Sequence, residues 1–478
     1  MEKYEARGWA ALPVELQLQI LHHVDRADLK HMRAVDKHGT AATSILFETT
    51  HLTPNTRSFS RAHQVATSAL SANVRHVVYH VGIIEAVYSD FEAFANEVAK
   101  PRHPSLLAPI DEPTDTSTIV EEMYTCYLQE TEAQAEFEFR DETLELRQLA
   151  HNFRNLESVS TVLDEYVPFT LPEGYIERRT GLPAVTFYEG KPFAKLFEAT
   201  AESALTKIHA GALPWSFWTE LHWTPRMSVR LACLRALHLG LYNADFIQNS
   251  DSRRTLQTLQ KFLDACLNVE SLSLDFDEIP FDISSKFNEC ISRTIYKTRF
   301  AKLVRLKLRG LITFEDKFVS FLAVHKSNLQ SLHLSDLWIV QSPQSDDPVA
   351  VAMSVSLTGE LYSSTRGSVV SAFQRIHDSC TLDHVVLEGN FTNRFDEAWY
   401  VDEAAKSKDC IRTRIESFLC RRGSFPFPAP AEYLRLQEES MLEYIQSATS
   451  DSTEVDEAEP YAMMYCDDSW QWCPELIW

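Results

Sequence analysis

The stretch "LVRLKLRG" places three cations, Arg305, Lys307 and Arg309, at alternate positions. In a strand, alternate residues share one face, so all three point the same way. Like charges that close repel, and the chain as a whole carries −23. Such a row has two readings. It pairs with the acidic segments of this same chain, or it receives an acidic or phosphorylated segment of a protein target, which Arg can grip bidentately. His238 in "LRALHL" and His333 in "LQSLHL" hold the matching positions of similar stretches, with Ser271, Ser273, Ser331 and Ser335 beside them. Arg305, Lys307, Arg309, His238 and His333 are therefore the candidate substrate-binding residues.

Other chemistries lack local signatures. No GxxxxGK[ST], GxGxxG, GxSxG or HExxH string occurs, so phosphate-loop, nucleophile-elbow and zincin sites have no sequence support. His22 and His23 are adjacent, which turns them to different sides of a helix and makes a poor metal pair. The nine cysteines include no CxxC pair, and nine is odd. That pattern speaks against a disulfide framework or a zinc knuckle and fits a reducing compartment. The chain thus offers no candidate catalytic, metal-binding or cofactor-binding residue, and is read as a non-enzyme without a cofactor. "LPWSFWTELHW" brings Trp215, Trp218 and Trp223 together. They form either a target-gripping aromatic patch or a packed core cluster, the commoner outcome.

Composition narrows the partners. The chain has 478 residues, 45% hydrophobic and 11% aromatic, enough for two or three domains with substantial cores. Between Lys100 and Glu145 stand 12 acidic and 3 basic residues, and from Asp451 to Trp478 stand 8 acidic residues without Lys or Arg. These two segments carry −17 of the −23. A chain of this balance is a poor nucleic-acid binder, because phosphate contacts need a basic patch. No apolar run approaches the roughly 18 residues of a membrane span, and the first residues hold no signal-peptide core. The expected location is cytoplasmic or nuclear, with no membrane and no nucleic-acid partner.

The elements that would position the candidate residues repeat along the chain. An amphipathic helix, a polar break and an L-x-x-L-x-L strand recur, the strands starting at Leu234, Val269, Leu303, Leu329 and Leu382, with weaker relatives at Val74 and Leu156. The spacings of 35, 34, 26 and 53 residues are longer and less even than a regular leucine-rich array. The preceding helices group Leu256, Leu259, Leu263, Cys266 and Leu267, and then Phe318, Phe321 and Leu322, on single faces. A doubly wound α/β sheet also alternates strands and helices. The polar residues between the leucines favour a solenoid, since strands buried on both faces read as continuous apolar runs. "PSLLAPIDEPTDTSTIVEEMYTCYLQETEAQAEFEFRDETLE" reads as a loop followed by a solvated helix. "EYLRLQEESMLEYIQ" reads as a last amphipathic helix, and the acidic end of the chain as a disordered tail.

Ahead of the repeats, "LPVELQLQILHHVDRADLKHMRAV" forms two short amphipathic helices. Pro13 suits a first helical position, Leu16, Ile20, Leu21 and Val24 form an apolar stripe, and Asp28 suits the cap of a helix carrying Leu29, Met32 and Val35. Ile45, Leu46 and Phe47 mark a third helix. Three helices over some 40 residues cannot enclose a stable core alone, so their spare apolar surface must pack on the repeats or on another protein.

The run "LPVELQLQILHHVDRADLKHMRAVDKHGTAATSILFETTHL" resembles an F-box. Its carriers are the Leu-Pro start, Glu-Leu and Ile-Leu in the first helix, Asp-Leu and Arg-x-Val in the second, and the closing "LFETTHL". The following "TRSFSRAHQVATSALSANVRHVVYH" is similar to large fungal F-box families with irregular leucine-rich-like repeats. The resemblance implies a substrate-recognition subunit of a Skp–cullin–F-box ubiquitin ligase, which binds the Skp-type adaptor, and through it a cullin, by the F-box, and an unknown protein substrate by the repeats. The matching apolar positions are Leu12, Pro13, Leu16, Ile20, Leu21, Leu29, Met32 and Val35; some would face the adaptor and others close the three-helix unit. The competing reading is a plain solenoid scaffold for protein–protein interaction. The expected architecture is α/β: a three-helix F-box at 9–52, an irregular leucine-rich-repeat-like solenoid of helix–strand repeats with parallel strands at 60–445, with an acidic insertion near 103–142, and an acidic disordered tail at 448–478.

Overall fold

A computed structural model describes residues 14–427, except 22, 25, 36–39, 85, 87, 89, 100–115, 163–184, 188–190, 243–251, 277–284, 341–368, 393–397 and 402–410. Leu12, Pro13, the expected final helix and the expected acidic tail lie outside the described residues.

The chain is α/β, built on an open, mostly parallel sheet of 11 strands. In chain order the strands are β1 (Thr49–Leu52), β2 (His76–His80), β3 (Gly82–Ile84), β4 (Ser158–Val162), β5 (Val185–Phe187), β6 (Lys207–Pro214), β7 (Ala236–Tyr242), β8 (Ser271–Phe276), β9 (Arg305–Arg309), β10 (Ile312–Phe314), β11 (Ser331–Val340), β12 (His384–Thr392) and β13 (Ala398–Val401). Across the sheet they stand β1-β2-β4-β6-β7-β8-β9-β11-β12-β13, with β10 also beside β11, while β3 and β5 form a separate antiparallel pair. Among the described strands, only β13 runs antiparallel within the large sheet, against β12. The spatial order follows the chain order and never turns back. A doubly wound sheet reverses direction midway, which sends helices to both faces. Here every crossover between parallel neighbours steps the same way, and crossovers that share the usual right hand then keep their helices on one face.

The helix-side face is apolar because every strand repeats one pattern. Leu237, Leu272, Leu306 and Leu332 stand side by side on neighbouring strands in one row, and Leu239, Leu274, Leu308, Leu334 and Leu387 in another. All are buried. A third column precedes the strands: Val74, Leu156, Leu205, Leu234, Val269, Leu303, Leu329 and Leu382, again all buried. The first leucine of L-x-x-L-x-L thus lies in the turn, and each regular strand begins two residues later. The turn is tied to the preceding strand by two successive amides on one carbonyl. Arg235 N and Ala236 N both donate to Thr206 O, at 2.8 and 3.1 Å, and Glu270 N and Ser271 N both donate to Arg235 O.

Helices fill the other side of this core. Ser252–Ala265 buries Leu259, Phe262 and Leu263, and Glu315–His325 buries Phe318, Phe321 and Leu322. Leu267, expected on the first of these faces, lies beyond the helix end and is exposed; Phe262 fills the position instead. The acidic helix Thr116–Glu138 is not the solvated element the composition suggested. It buries Tyr127, Ala133, Phe137 and the side chain of Glu130. Glu130 accepts from Asn55 Nδ2 at 3.2 Å and lies 3.9 Å from Arg57, so the charge is buried with polar partners. Trp215 and Trp218 are fully buried, with Trp218 edge-on to Phe217 and Phe262, and Trp223 packs half-buried on the same core. The Trp cluster is core packing, and a surface patch for gripping a target is ruled out at Trp215 and Trp218.

Leu308 stands fully buried between Leu274 and Leu334 at the centre of the sheet. Leu308→Ala should lower the unfolding free energy by about 2–5 kcal/mol, through lost transfer energy plus the cavity left behind. Chemical denaturation checks this; a loss well under 1 kcal/mol would mean that the core is not continuous at this point.

Candidate protein-binding surfaces

Two surfaces gather the residues singled out in the sequence. The first is the N-terminal helical unit: α1 (Val14–Leu21), α2 (Arg26–Val35) and α3 (Thr40–Leu46). Leu21, Leu29 and Ala42 form a small buried core of their own, with Val24, Met32, Ile45 and Leu46 packed against it. Leu21, Leu29 and Met32 therefore close the unit. Leu16 and Ile20 do the opposite, at 45% and 46% exposure. Four residues apart, they lie one above the other on a single face of α1. Val35 ends α2, and its side chain lies outside what the structure describes, as do Leu12 and Pro13.

The unit is joined to the sheet through its last turn. α3 runs almost directly into β1, and Glu48 O between them accepts from Arg75 N and His76 N at the start of β2. Ser44 Oγ also donates to Asn73 Oδ1 at 3.4 Å. β1, an edge strand of the sheet, is made from "TTHL", the end of the stretch that resembles an F-box.

The second surface is the sheet face away from the leucines. The register places side chains of this face in straight rows. The first reads His76, Ser158, Lys207, Ala236, Ser271, Arg305, Ser331, His384, and the third reads His51, Val78, Ser160, His209, His238, Ser273, Lys307, His333, Val386. All five candidate substrate-binding residues thus share one face of neighbouring strands. Their surroundings differ. Arg309 sits near Asp275 at 3.5 Å and Asp336 at 3.6 Å. His333 Nε2 is 2.7 Å from Glu388 Oε2. Arg305 is exposed and Lys307 half-buried, and neither has a carboxylate within ion-pair range among the described residues. Of the three cations, one is held by its neighbours on adjacent strands. The pairing is not with the acidic helix, which packs beside Thr56–Ala66.

Asp336 explains why Arg309 is held. It has a positive φ of 51°, at the point where the β11–β12 register slips between Ser335 and Leu337. Its carboxylate accepts from Asn390 N at 2.9 Å and from Ser335 Oγ at 2.9 Å. Gly389, at φ 72°, makes the approach possible, because a Cβ there would collide with that carboxylate.

Histidines crowd the same face. His51 Nδ1 and His80 Nε2 are 3.0 Å apart with stacked rings, and the His209 and His238 ring centroids are 4.0 Å apart. His238 Nδ1 also meets Ser273 Oγ at 2.8 Å. Burial pushes the His238 pKa down to about 4, helped by the neighbouring His209 and Lys307. Among the described residues no group of three or more His, Cys, Asp or Glu is arranged to hold a metal ion, and no helix is long and apolar enough to cross a membrane.

Sequence reasoning passed over Lys207, His209 and His76. The signal for β6 was present in "LTKIHA", but Ala210 stands where the template has its last leucine. No protein-family model matches the chain, and no curated protein matches it.

The depressed His238 pKa fixes a sign. In the unfolded chain the ring takes up a proton near its ordinary 6.5, in the folded protein only near 4. The unfolded state binds more protons between those values, so stability falls as pH drops through that window. His325, also lowered chiefly by burial, adds to the same trend. The melting temperature should therefore decline from neutral pH toward pH 4, and His238→Gln should flatten the profile. An identical pH slope in wild type and variant would show that His238 titrates normally.

Proposed function

We propose that the chain is the substrate-recognition subunit of a Skp–cullin–F-box ubiquitin ligase. Its N-terminal three-helix unit is the F-box that docks on the Skp-type adaptor, and the remaining helix–strand units are an irregular leucine-rich-repeat-like solenoid that captures a protein target. One observation carries the reading. A helical unit that closes its own small core still leaves Leu16 and Ile20 exposed together on α1. Apolar side chains paired on one helix face lose little by burial against a partner, and covering the remaining exposed half of each gains about 1 kcal/mol. The resemblance of the same residues to an F-box names the partner.

The repeat domain suits the second half of the task. One-way strand order leaves a sheet face free of crossover helices, and the side chains on it alternate with buried leucines. This gives a rigid array of polar groups at fixed spacing, attached through α3 and β1 to the docking unit. In this reading the chain supplies recognition and positioning, and ubiquitin transfer is supplied by the cullin-borne partners. Arg305 and Lys307 lead the target-facing set, with His238 and His333 beside them, and Arg309 holds the edge of that surface in shape.

Leu16→Asp with Ile20→Asp should abolish co-precipitation of the Skp-type adaptor by the full chain. Because both side chains are exposed and the main core is separate, the melting temperature should stay within a degree or two. Adaptor capture that persists in the double variant would overturn the assignment. As a contrast, Leu21→Ala removes a residue of the small core and should weaken adaptor capture by loosening the unit itself.

A further inference from the structure

We infer that the open sheet face binds an extended peptide lying across the strands, with two anionic groups about four residues apart, one held by Lys207 and the other by Arg305 and Lys307. This rests on the reading of the sheet as a target-capturing surface and deepens it, adding Lys207 and a spacing rule.

Charge is sorted on this face. Neither the first nor the third row contains an acidic residue anywhere between β1 and β12. The acids of this face, Asp275, Asp336 and Glu388, stand toward the strand ends, where they meet Arg309 and His333. The acids at the strand beginnings, Glu48, Glu157, Glu270 and Asp383, each precede their strands by one residue, out of phase with these rows; Glu157 pairs with Arg75, and Glu48 reaches only His76, two strands away from Lys207, at 3.7 Å. Cations therefore stand in a strip fenced by acids on one side. An anionic peptide is attracted to the strip and repelled from the fence, which fixes its lateral position.

The face is also low between its cations. Between Lys207 on β6 and Arg305 on β9 the first row contains only Ala236 and Ser271, and Ser273 lies beside Lys307 in the third. Small side chains make a low floor bounded by long cations. Lys207 and Arg305 are both exposed. β6 and β9 are three strand steps apart, about 14 Å at the usual spacing. An extended peptide advances about 3.4 Å per residue, so four residues span that distance. Ser271 and Ser273 offer hydroxyls to the backbone or side chains between the two anions. Arg305 and Lys307, two residues apart on one strand, flank a single anionic group from two sides.

Fluorescence anisotropy with the purified full-length chain and labelled synthetic peptides tests this. The peptides share one neutral frame and carry two phosphoserines, or two glutamates, spaced two, four or eight residues apart. The four-residue spacing should bind at least tenfold more tightly than the other two, and the phosphoserine and glutamate arms show which anion is preferred. Lys207→Glu should erase the spacing preference, and Arg305→Glu with Lys307→Glu should cut affinity for every peptide at least tenfold, with unchanged melting temperature. Affinity should fall steeply between 50 and 300 mM salt, as for exposed charge pairs. Equal binding at all spacings, no binding by any peptide, or indifference to Lys207→Glu would each overturn the inference. Adaptor co-precipitation from the same preparations keeps the outcomes apart: if it holds while the peptides fail, only the inference falls, and if it fails while the spacing rule holds, only the ligase reading falls.

Discussion

A parallel strand cannot turn straight into its neighbour; it must leave the sheet and return, and the return path is right-handed. That constraint organises the molecule. Every step from β1 to β12 moves the same way across the sheet, so the crossover helices accumulate on one side and the leucines must face them. Three columns of buried aliphatic side chains run across the strands as a result. They hold the sheet to its helices, and they leave the alternate residues facing away from the core. The polarity of that second face is a consequence of the fold, whereas its pattern of cations, histidines and serines is a choice of residues.

Electrostatics then divides the face. The chain is strongly acidic overall, yet its acids are kept off two complete rows. Where acids do reach the face they are tied down, with Asp336 held by Asn390 N and Ser335 and facing Arg309. Burial of charge follows the same economy elsewhere. Glu142, almost fully buried, accepts from Tyr79 at 2.7 Å and from Lys195 at 2.7 Å. Arg230 sits over the Phe197 ring and donates to Phe197 O and Thr200 Oγ1 at the end of helix Pro192–Ala199. Each buried ion has partners, as the desolvation penalty demands.

How much of this was legible in the sequence depended on whether the residue pattern survived locally. The five strands marked by L-x-x-L-x-L were readable because a buried aliphatic residue, mostly leucine, stands at every inward position and leaves a clear local period. The motif starts two residues ahead of each regular strand, because its first residue is buried by the turn rather than by the ladder. β6 escaped because Ala210 and Gly211 take the place of larger residues; Gly240 on the next strand packs against Gly211 so closely that a Cβ would strike its carbonyl oxygen. With β6 went Lys207 and His209, and so one end of the cationic strip. The acidic helix Thr116–Glu138 was misread because composition counts charges without saying which of them find partners. Glu130 is buried and Glu136 meets Thr56 at 3.1 Å, so a helix rich in acids still packs.

The opening helices show the opposite limit. Spacing alone identified the apolar stripe but could not divide it, because inward and outward positions on so short a helix differ by a single step. Geometry divides it: Leu21 turns in with Leu29 and Ala42, while Leu16 and Ile20 turn out. Three helices cannot bury all their leucines in one another, so some apolar surface must be left over wherever such a unit is built. What decides its use is where the surplus collects. Scattered surplus is ordinary protein surface. Here it collects as an i, i+4 pair on one helix of a unit attached to the edge of a long rigid sheet. A partner that covers that pair is thereby held at one end of the sheet, while the polar face remains open along its length. On the proposed reading, docking and capture then use different residues.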